Sequence, residues 1–229
     1  MRIGSLQKFS LIDYPGSICA TIFTQGCNFR CPYCHNPELV KPELFQKPVS
    51  IDEIMVFLKK RRGKLDGVCI TGGEPTLQQD LVECVRGIKQ LGFRVKIDTN
   101  GSFPTVLKAL IKGHLVDYIA MDIKASPYKY SEASGTSIDI NSIEESIHLI
   151  INAPIMYEFR TTVVKSLISQ DDFEDIGHMI KGARRYVLQG FIPTKLVDPA
   201  FLMEATYTNK EFQTIAKALD SFVQSVDIR

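Results

Sequence analysis

No apolar run in the 229-residue chain approaches the roughly 18–20 residues that a membrane-spanning helix needs. The opening stretch, Met1 to Lys8, also lacks the long apolar core of a signal peptide. Neither sign of charge is in excess: 27 lysines and arginines face 26 aspartates and glutamates, for a formal net charge of +1. The one dense basic cluster, Lys59-Lys60-Arg61-Arg62 with Lys64, falls at the end of an expected helix, where cations suit the helix dipole. Nucleic acid and membrane are therefore not expected as partners, and a cytoplasmic location is expected by default. Internal repeats, low-complexity segments and long linkers are missing too, so residues 1–229 are read as one domain. In a reducing compartment the six cysteines stay as thiols, which favours metal binding or catalysis over disulfides.

What is present is a steady alternation of short β-branched runs and longer helix-like stretches. Strands are expected at Ile18–Thr24, Gly67–Thr71, Phe93–Asp98, Val116–Met121, Met156–Val164 and Arg185–Gln189. Helices are expected at Ser50–Arg62, Asp80–Leu91, Pro104–Lys112, Ser142–Ile151 and Gln170–Gly182, with Asn209–Val226 closing the chain. Six strand-then-helix units imply a parallel sheet, either open and doubly wound or curved into a partial barrel.

The polar and glycine-rich segments follow the expected strands. Gln25-Gly26-Cys27 follows the first, Gly72-Gly73-Glu74-Pro75 the second, Asp98-Thr99-Asn100-Gly101 the third and Asp122-Ile123-Lys124 the fourth. In a barrel of parallel strands these ends share one face, the face on which such folds carry their active sites. One loop contains Cys27, Cys31 and Cys34 in a C-x3-C-x2-C pattern. Most iron–sulfur clusters use four cysteine thiolates. Three on a four-iron cluster leave one iron open to a substrate or second cofactor, which points to catalysis rather than electron storage. Two other readings of the loop stand beside this one. The three thiolates with His35 could hold zinc, and Cys31-Pro32-Tyr33-Cys34 alone looks like the active dithiol of glutaredoxins. Cys19, Cys69 and Cys84 lie in expected strand and helix cores, where a free cysteine acts as a small hydrophobe.

With those residues in view, the sequence resembles the radical S-adenosylmethionine (SAM) superfamily, through C-x3-C-x-aromatic-C followed by G-G-E-P. The resemblance is closest to the activating enzymes of glycyl radical enzymes, and among them to the anaerobic ribonucleoside-triphosphate reductase activating proteins. It is carried by Gln7-Lys8-Phe9-Ser10-Leu11-Ile12-Asp13-Tyr14-Pro15-Gly16, by Phe23-Thr24-Gln25-Gly26-Cys27 and by Cys34-His35-Asn36-Pro37-Glu38. It implies an α/β fold, a partial (β/α)6 TIM-type barrel. It also implies one [4Fe–4S] cluster on Cys27, Cys31 and Cys34 whose open iron binds SAM. Tyr33 would lie beside the adenine, and Gly72, Gly73 and Glu74 would take the methionine amino group. Asp98 and Asn100 belong to a segment that contacts SAM in this family. Lys124 would sit near the SAM carboxylate and Asp122 would help bind a cation. Arg160 would reach SAM or the partner's backbone, or else form a buried salt bridge, and Gln189 is a candidate for a contact from the sixth strand, where no family motif matches.

The implied reaction is reductive cleavage of SAM to a 5′-deoxyadenosyl radical, which removes a hydrogen atom from a glycine of a partner enzyme. The implied partners are the large subunit of anaerobic ribonucleotide reductase and, as electron donor, a flavodoxin or ferredoxin. Activation of a pyruvate formate-lyase type enzyme, or radical chemistry on a small molecule such as a modified-base precursor, are the alternatives. Outside radical chemistry stand a cluster-binding electron carrier and a thiol oxidoreductase. Between His35 and Thr71 the sole cysteine is Cys69, so one cluster is expected and no inserted ferredoxin-like module.

Overall fold

A computed structural model describes all 229 residues. Its eight strands form one sheet in chain order. Ile3–Ser10 (β1) runs antiparallel to Cys19–Thr24 (β2). From β2 onward every pairing is parallel, through Gly67–Gly72 (β3), Arg94–Thr99 (β4), Tyr118–Asp122 (β5), Met156–Val163 (β6), Tyr186–Gly190 (β7) and Val226–Ile228 (β8). The edge strands β1 and β8 do not pair with one another, so the sheet is a partial barrel. The connections carry Pro37–Val40 (α1), Ile51–Arg61 (α2), Leu81–Gln90 (α3), Pro104–Lys112 (α4), Tyr130–Ser134 (α5), Ile140–Ile151 (α6), Asp172–Met179 (α7) and Asn209–Leu219 (α8).

Strand alternation explains the layering. In β4, β5 and β6 the residues Val95, Ile97, Ile119, Met121, Tyr157 and Phe159 join the main hydrophobic core. Their neighbours on the other face are Lys96, Asp98, Tyr118, Asp122, Glu158 and Arg160, which contact one another across the strands. One face of the sheet is thus apolar and helix-covered, while the inner face is lined with charge. Cys19 and Cys69 are buried as expected; Cys84 is only half-buried, although it packs on the main core.

The six expected parallel strands and the interior helices form close to their expected bounds. The chain's end differs. The helix expected to reach Val226 stops at Leu219, and Val226–Ile228 joins the sheet instead. The backbone there is claimed by neighbours: Gln224 N–H donates to Ala183 O at 2.9 Å, and Tyr186 N–H donates to Ser225 O at 2.9 Å. Asp227 then accepts from Arg185 Nε at 2.6 Å. The basic cluster expected at a helix end lies at the C-terminus of α2, and Lys59, Lys60, Arg61, Arg62 and Lys64 are exposed. No helix is long and apolar enough to cross a membrane.

Candidate active site

The C-terminal ends of the parallel strands surround a cavity of about 370 Å³, within the roughly 300–1,000 Å³ usual for ligand pockets. Cys27, Cys31 and Cys34 line it with Tyr33, Gly72, Gly73 and Glu74. Asp98, Asn100, Asp122, Lys124 and Arg160 complete the wall, so every candidate residue reaches the same space. Gln189 from β7 borders it too.

The cysteine loop is held at its base by the glycine pair. Gly73 N–H donates to Thr24 O at 2.8 Å, and Glu74 N–H donates to Gly26 O at 2.8 Å. A β-carbon at Gly73 would overlap the Gly26 carbonyl. Gly72 has φ +116°, and a β-carbon there would strike the Thr24 backbone. The glycines are therefore needed for the approach of two strand-end loops, whatever else they contact.

Glu74 is 1% exposed, and its carboxylate is largely occupied by the protein. Oε1 accepts from Thr76 N at 3.0 Å, from the Thr76 hydroxyl and from Thr99 Oγ1 at 2.7 Å. Oε2 accepts from Asn100 N at 2.7 Å. Burial raises the Glu74 pKa, and these donors oppose the shift. The carboxylate thereby bolts the loop after β3 to the loop after β4. Thr76 and Thr99 escape a reading of the sequence because only their fold neighbours reveal their task.

An alternating chain of charge crosses the cavity floor. Lys96 pairs with Asp98 Oδ1, and Arg160 Nη1 lies 3.4 Å from Asp98 Oδ2. Arg160 Nε donates to Asp122 Oδ1 at 2.9 Å, and Lys124 Nζ donates to Asp122 Oδ2 at 3.0 Å. The Arg160–Asp122 link follows from register, since the two residues are partners across β5 and β6. Burial works against the Asp122 carboxylate, but Arg160 and Lys124 outweigh it and hold the pKa at about 2. Burial likewise opposes the Lys124 ammonium, yet Asp122, Tyr33 and Cys31 keep its pKa well above the ordinary value. Of the two roles expected for Arg160, the salt bridge is present, part-buried on the cavity floor.

Burial pushes the Cys27 thiol up to about 12 and Cys31 up to about 11, and raises Cys34 as well. Reactive dithiols of the glutaredoxin type need a shift in the opposite direction. His35 borders the cavity, with its Nε2 2.8 Å from Ile192 O and its ring stacked on Phe191 at 5.8 Å. Against the zinc reading, no three His, Cys, Asp or Glu side chains gather closely enough to hold one ion. Three thiols spread around a cavity, beside a buried Tyr33 hydroxyl with no partner, fit a group wider than a single ion that also presents polar atoms.

The segment after β7 straps this loop. Val197 N–H donates to Cys34 O at 2.9 Å and Asp198 N–H to Pro32 O at 3.0 Å, while Lys195 pairs with Glu38 at 2.6 Å. Thr162, two residues beyond Arg160 on the same strand face, lines the cavity as well. Its signal in the sequence was that strand alternation alone.

A parallel partial barrel with three thiols of one loop at its C-terminal mouth defines a class, and comparison with known proteins agrees. The Radical SAM superfamily model matches residues 21–180. The chain belongs to the radical SAM superfamily, among the glycyl-radical enzyme activating enzymes. A Methanocaldococcus jannaschii protein provisionally named as a glycyl-radical enzyme activating enzyme is 35% identical over 99% of this chain and 95% of its own. The pyruvate formate-lyase-activating enzyme of Clostridium pasteurianum is 28% identical over 80% of this chain and 77% of its own. Streptococcus suis SuiB, in a crystal structure bound to S-adenosylmethionine, superposes with a TM-score of 0.68 at 13% identity, covering 89% of this chain and 48% of that one. At that identity the likeness is one of fold. The protein is an enzyme of the radical SAM class, and its family works with a [4Fe–4S] cluster and SAM.

Proposed function

We propose that this enzyme generates a glycyl radical on a partner, with anaerobic ribonucleoside-triphosphate reductase as that partner. The observation that carries the reading is the convergence of three thiols and the strand-end segments of β3 to β6 on one cavity. When bound, the cluster and SAM supply one-electron cleavage of a carbon–sulfur bond, giving a 5′-deoxyadenosyl radical that can take hydrogen from a glycine Cα.

The chain's own residues bind, orient and shelter. Cys27, Cys31 and Cys34 would hold the cluster as thiolates, the form in which cysteine binds metal. Carbonyls of Gly72 and Gly73, with the less occupied Oε2 of Glu74, are acceptors for an ammonium group. Three cations and two carboxylates make up the floor network, which leaves one net positive charge. The Lys124 end of that network, beside Tyr33 and Cys31, is where a carboxylate is favoured. Asp98 stays turned toward Lys96 and Arg160, so it lines the cavity while balancing their charge. Asp122 lies between Arg160 and Lys124 and pairs with both. Tyr33 offers its unpartnered hydroxyl to the adenosine side. The strap after β7 holds the cysteine loop in place through its two backbone hydrogen bonds. A flavodoxin or ferredoxin would deliver the electron.

Support for the reductase as partner comes from the Gln7–Gly16 stretch. In the fold that stretch forms β1 and the turn after it, where Asp13 accepts from Thr21 Oγ1 at 2.7 Å and Tyr14 packs edge-on against Tyr118. It closes the end of the barrel opposite the cysteine loop. The Clostridium pasteurianum relative favours a second reading, a pyruvate formate-lyase as the partner. The two separate in one experiment. Reconstituted protein, dithionite and SAM are mixed anaerobically with either the reductase large subunit or the lyase, and the glycyl radical is sought by EPR. A doublet in the reductase alone is expected. A doublet in the lyase alone favours the second reading, and cleavage of SAM with no doublet from either would sink both.

A further inference from the structure

The amide of Asn100 does not face open space. Its Oδ1 accepts from Ser102 N at 3.0 Å and from Ser102 Oγ at 2.6 Å. Two donors on that atom fix which way the amide points. The Nδ2 group is therefore turned to the cysteine loop, where it donates to Asn28 Oδ1 at 3.0 Å and lies 3.9 Å from Cys27 Sγ. Asn28 Nδ2 in turn donates to Ser102 Oγ at 2.9 Å, which closes a ring of three side chains. The Asn100 backbone is anchored separately, through its N–H to Glu74. Cys27 Sγ also accepts from Phe29 N–H at 3.4 Å, and among the three cavity thiols it alone receives a side-chain donor.

We infer that Asn100 is a positioning residue for the cluster, acting through an N–H···S hydrogen bond to the Cys27 sulfur rather than by direct contact with SAM. This rests on the proposed cluster ligation by Cys27, Cys31 and Cys34. Donors to a ligating sulfur withdraw charge from it and stabilise the reduced cluster, so they raise its reduction potential. The loop after β4 thus sets both the place and the electron demand of one cluster ligand, while the two Ser102 donors keep the amide from turning.

The test is a redox titration of the reconstituted enzyme without SAM, following the reduced-cluster EPR signal. Wild type is compared with Asn100→Ala, with Asn100→Leu, which keeps bulk and loses the donor, and with Asn28→Ala. Iron and sulfide are counted first; a wild type that holds no four-iron cluster overturns the ligation reading and this inference with it. Given a loaded wild type, both Asn100 variants should titrate at a more negative potential. Asn28→Ala should stay near wild type, since Ser102 still orients the amide. Equal potentials in wild type and a fully loaded Asn100→Leu would overturn the inference alone. Failure of both Asn100 variants to load, with unchanged apoprotein melting and a normally loading Asn28→Ala, would be the stronger form of the same role.

Discussion

At Gly73 the protein has no space for even a methyl group, because the Gly26 carbonyl occupies the position a β-carbon would take. Gly73→Ala should therefore push the loop after β3 away from the cysteine loop. A loss of about 2–3 kcal/mol is expected, the scale of overpacking in a site that cannot yield, with cluster loading falling in parallel. Urea unfolding of the apoprotein and iron content after reconstitution check the two effects; a variant as stable and as well loaded as wild type would contradict the geometry. The glycine pair was legible in the sequence as a close approach. What it approaches was not, because Gly26 lies more than forty residues away and only the β2–β3 pairing brings it close. The same holds for Glu74. Its residue type announced a carboxylate at the site, whereas its four protein donors come from Thr76, Thr99 and Asn100 and appear only once the strand ends are aligned.

Between elements, Asp172 is the clearest tie. It starts α7 and accepts from Ser126 Oγ at 2.8 Å, Lys129 Nζ at 2.6 Å, Ser169 N at 2.7 Å and Ser169 Oγ at 2.6 Å. Burial would raise its pKa, but Lys129, Ser169 and Ser126 lower it to about 2. An aspartate depressed in the folded state adds stability that is fully present above its unfolded value, near 4, and is lost as pH falls toward about 2. Asp172→Ala should cost on the order of 2 kcal/mol at neutral pH, with the gap to wild type closing across that acid window. Urea titrations from pH 7 downward read the gap directly, and a gap independent of pH would rule out the charge as its origin. Element boundaries were legible where β-branched runs alternate with polar residues, as in Lys96-Ile97-Asp98. They were not at the rims. β1 is an edge strand with exposed Gln7, Lys8 and Phe9, so it shows no clean alternation, and β8 is three residues whose place depends on β7. The apolar pattern running on from α8 through Phe222 and Val223 imitates more helix, although those side chains fill the core from a turn.

For the molecule as a whole, the parallel sheet gathers segments from β2 to β7 at one mouth, and the two unpaired edges leave the barrel open at its side. An opening of that kind is what a reaction on another protein's backbone requires, since the reacting glycine must come to the cavity. The class was legible in the sequence through the family resemblance carried by C-x3-C-x-aromatic-C and Gly72-Gly73-Glu74-Pro75. The charge network on the floor was only half legible: Asp98, Asp122, Lys124 and Arg160 stood out, but Lys96 read as an ordinary strand residue although it is 2% exposed and completes the chain of ion pairs. The central claim is that the Cys27, Cys31 and Cys34 cavity supports reductive cleavage of SAM. The most direct measurement is 5′-deoxyadenosine formed under strict anaerobiosis, with dithionite as reductant, by reconstituted wild type and by Cys31→Ala. The account predicts product from wild type and none above background from the variant. Equal product from both, or none from a wild type that holds a full four-iron cluster with SAM and partner present, would contradict it.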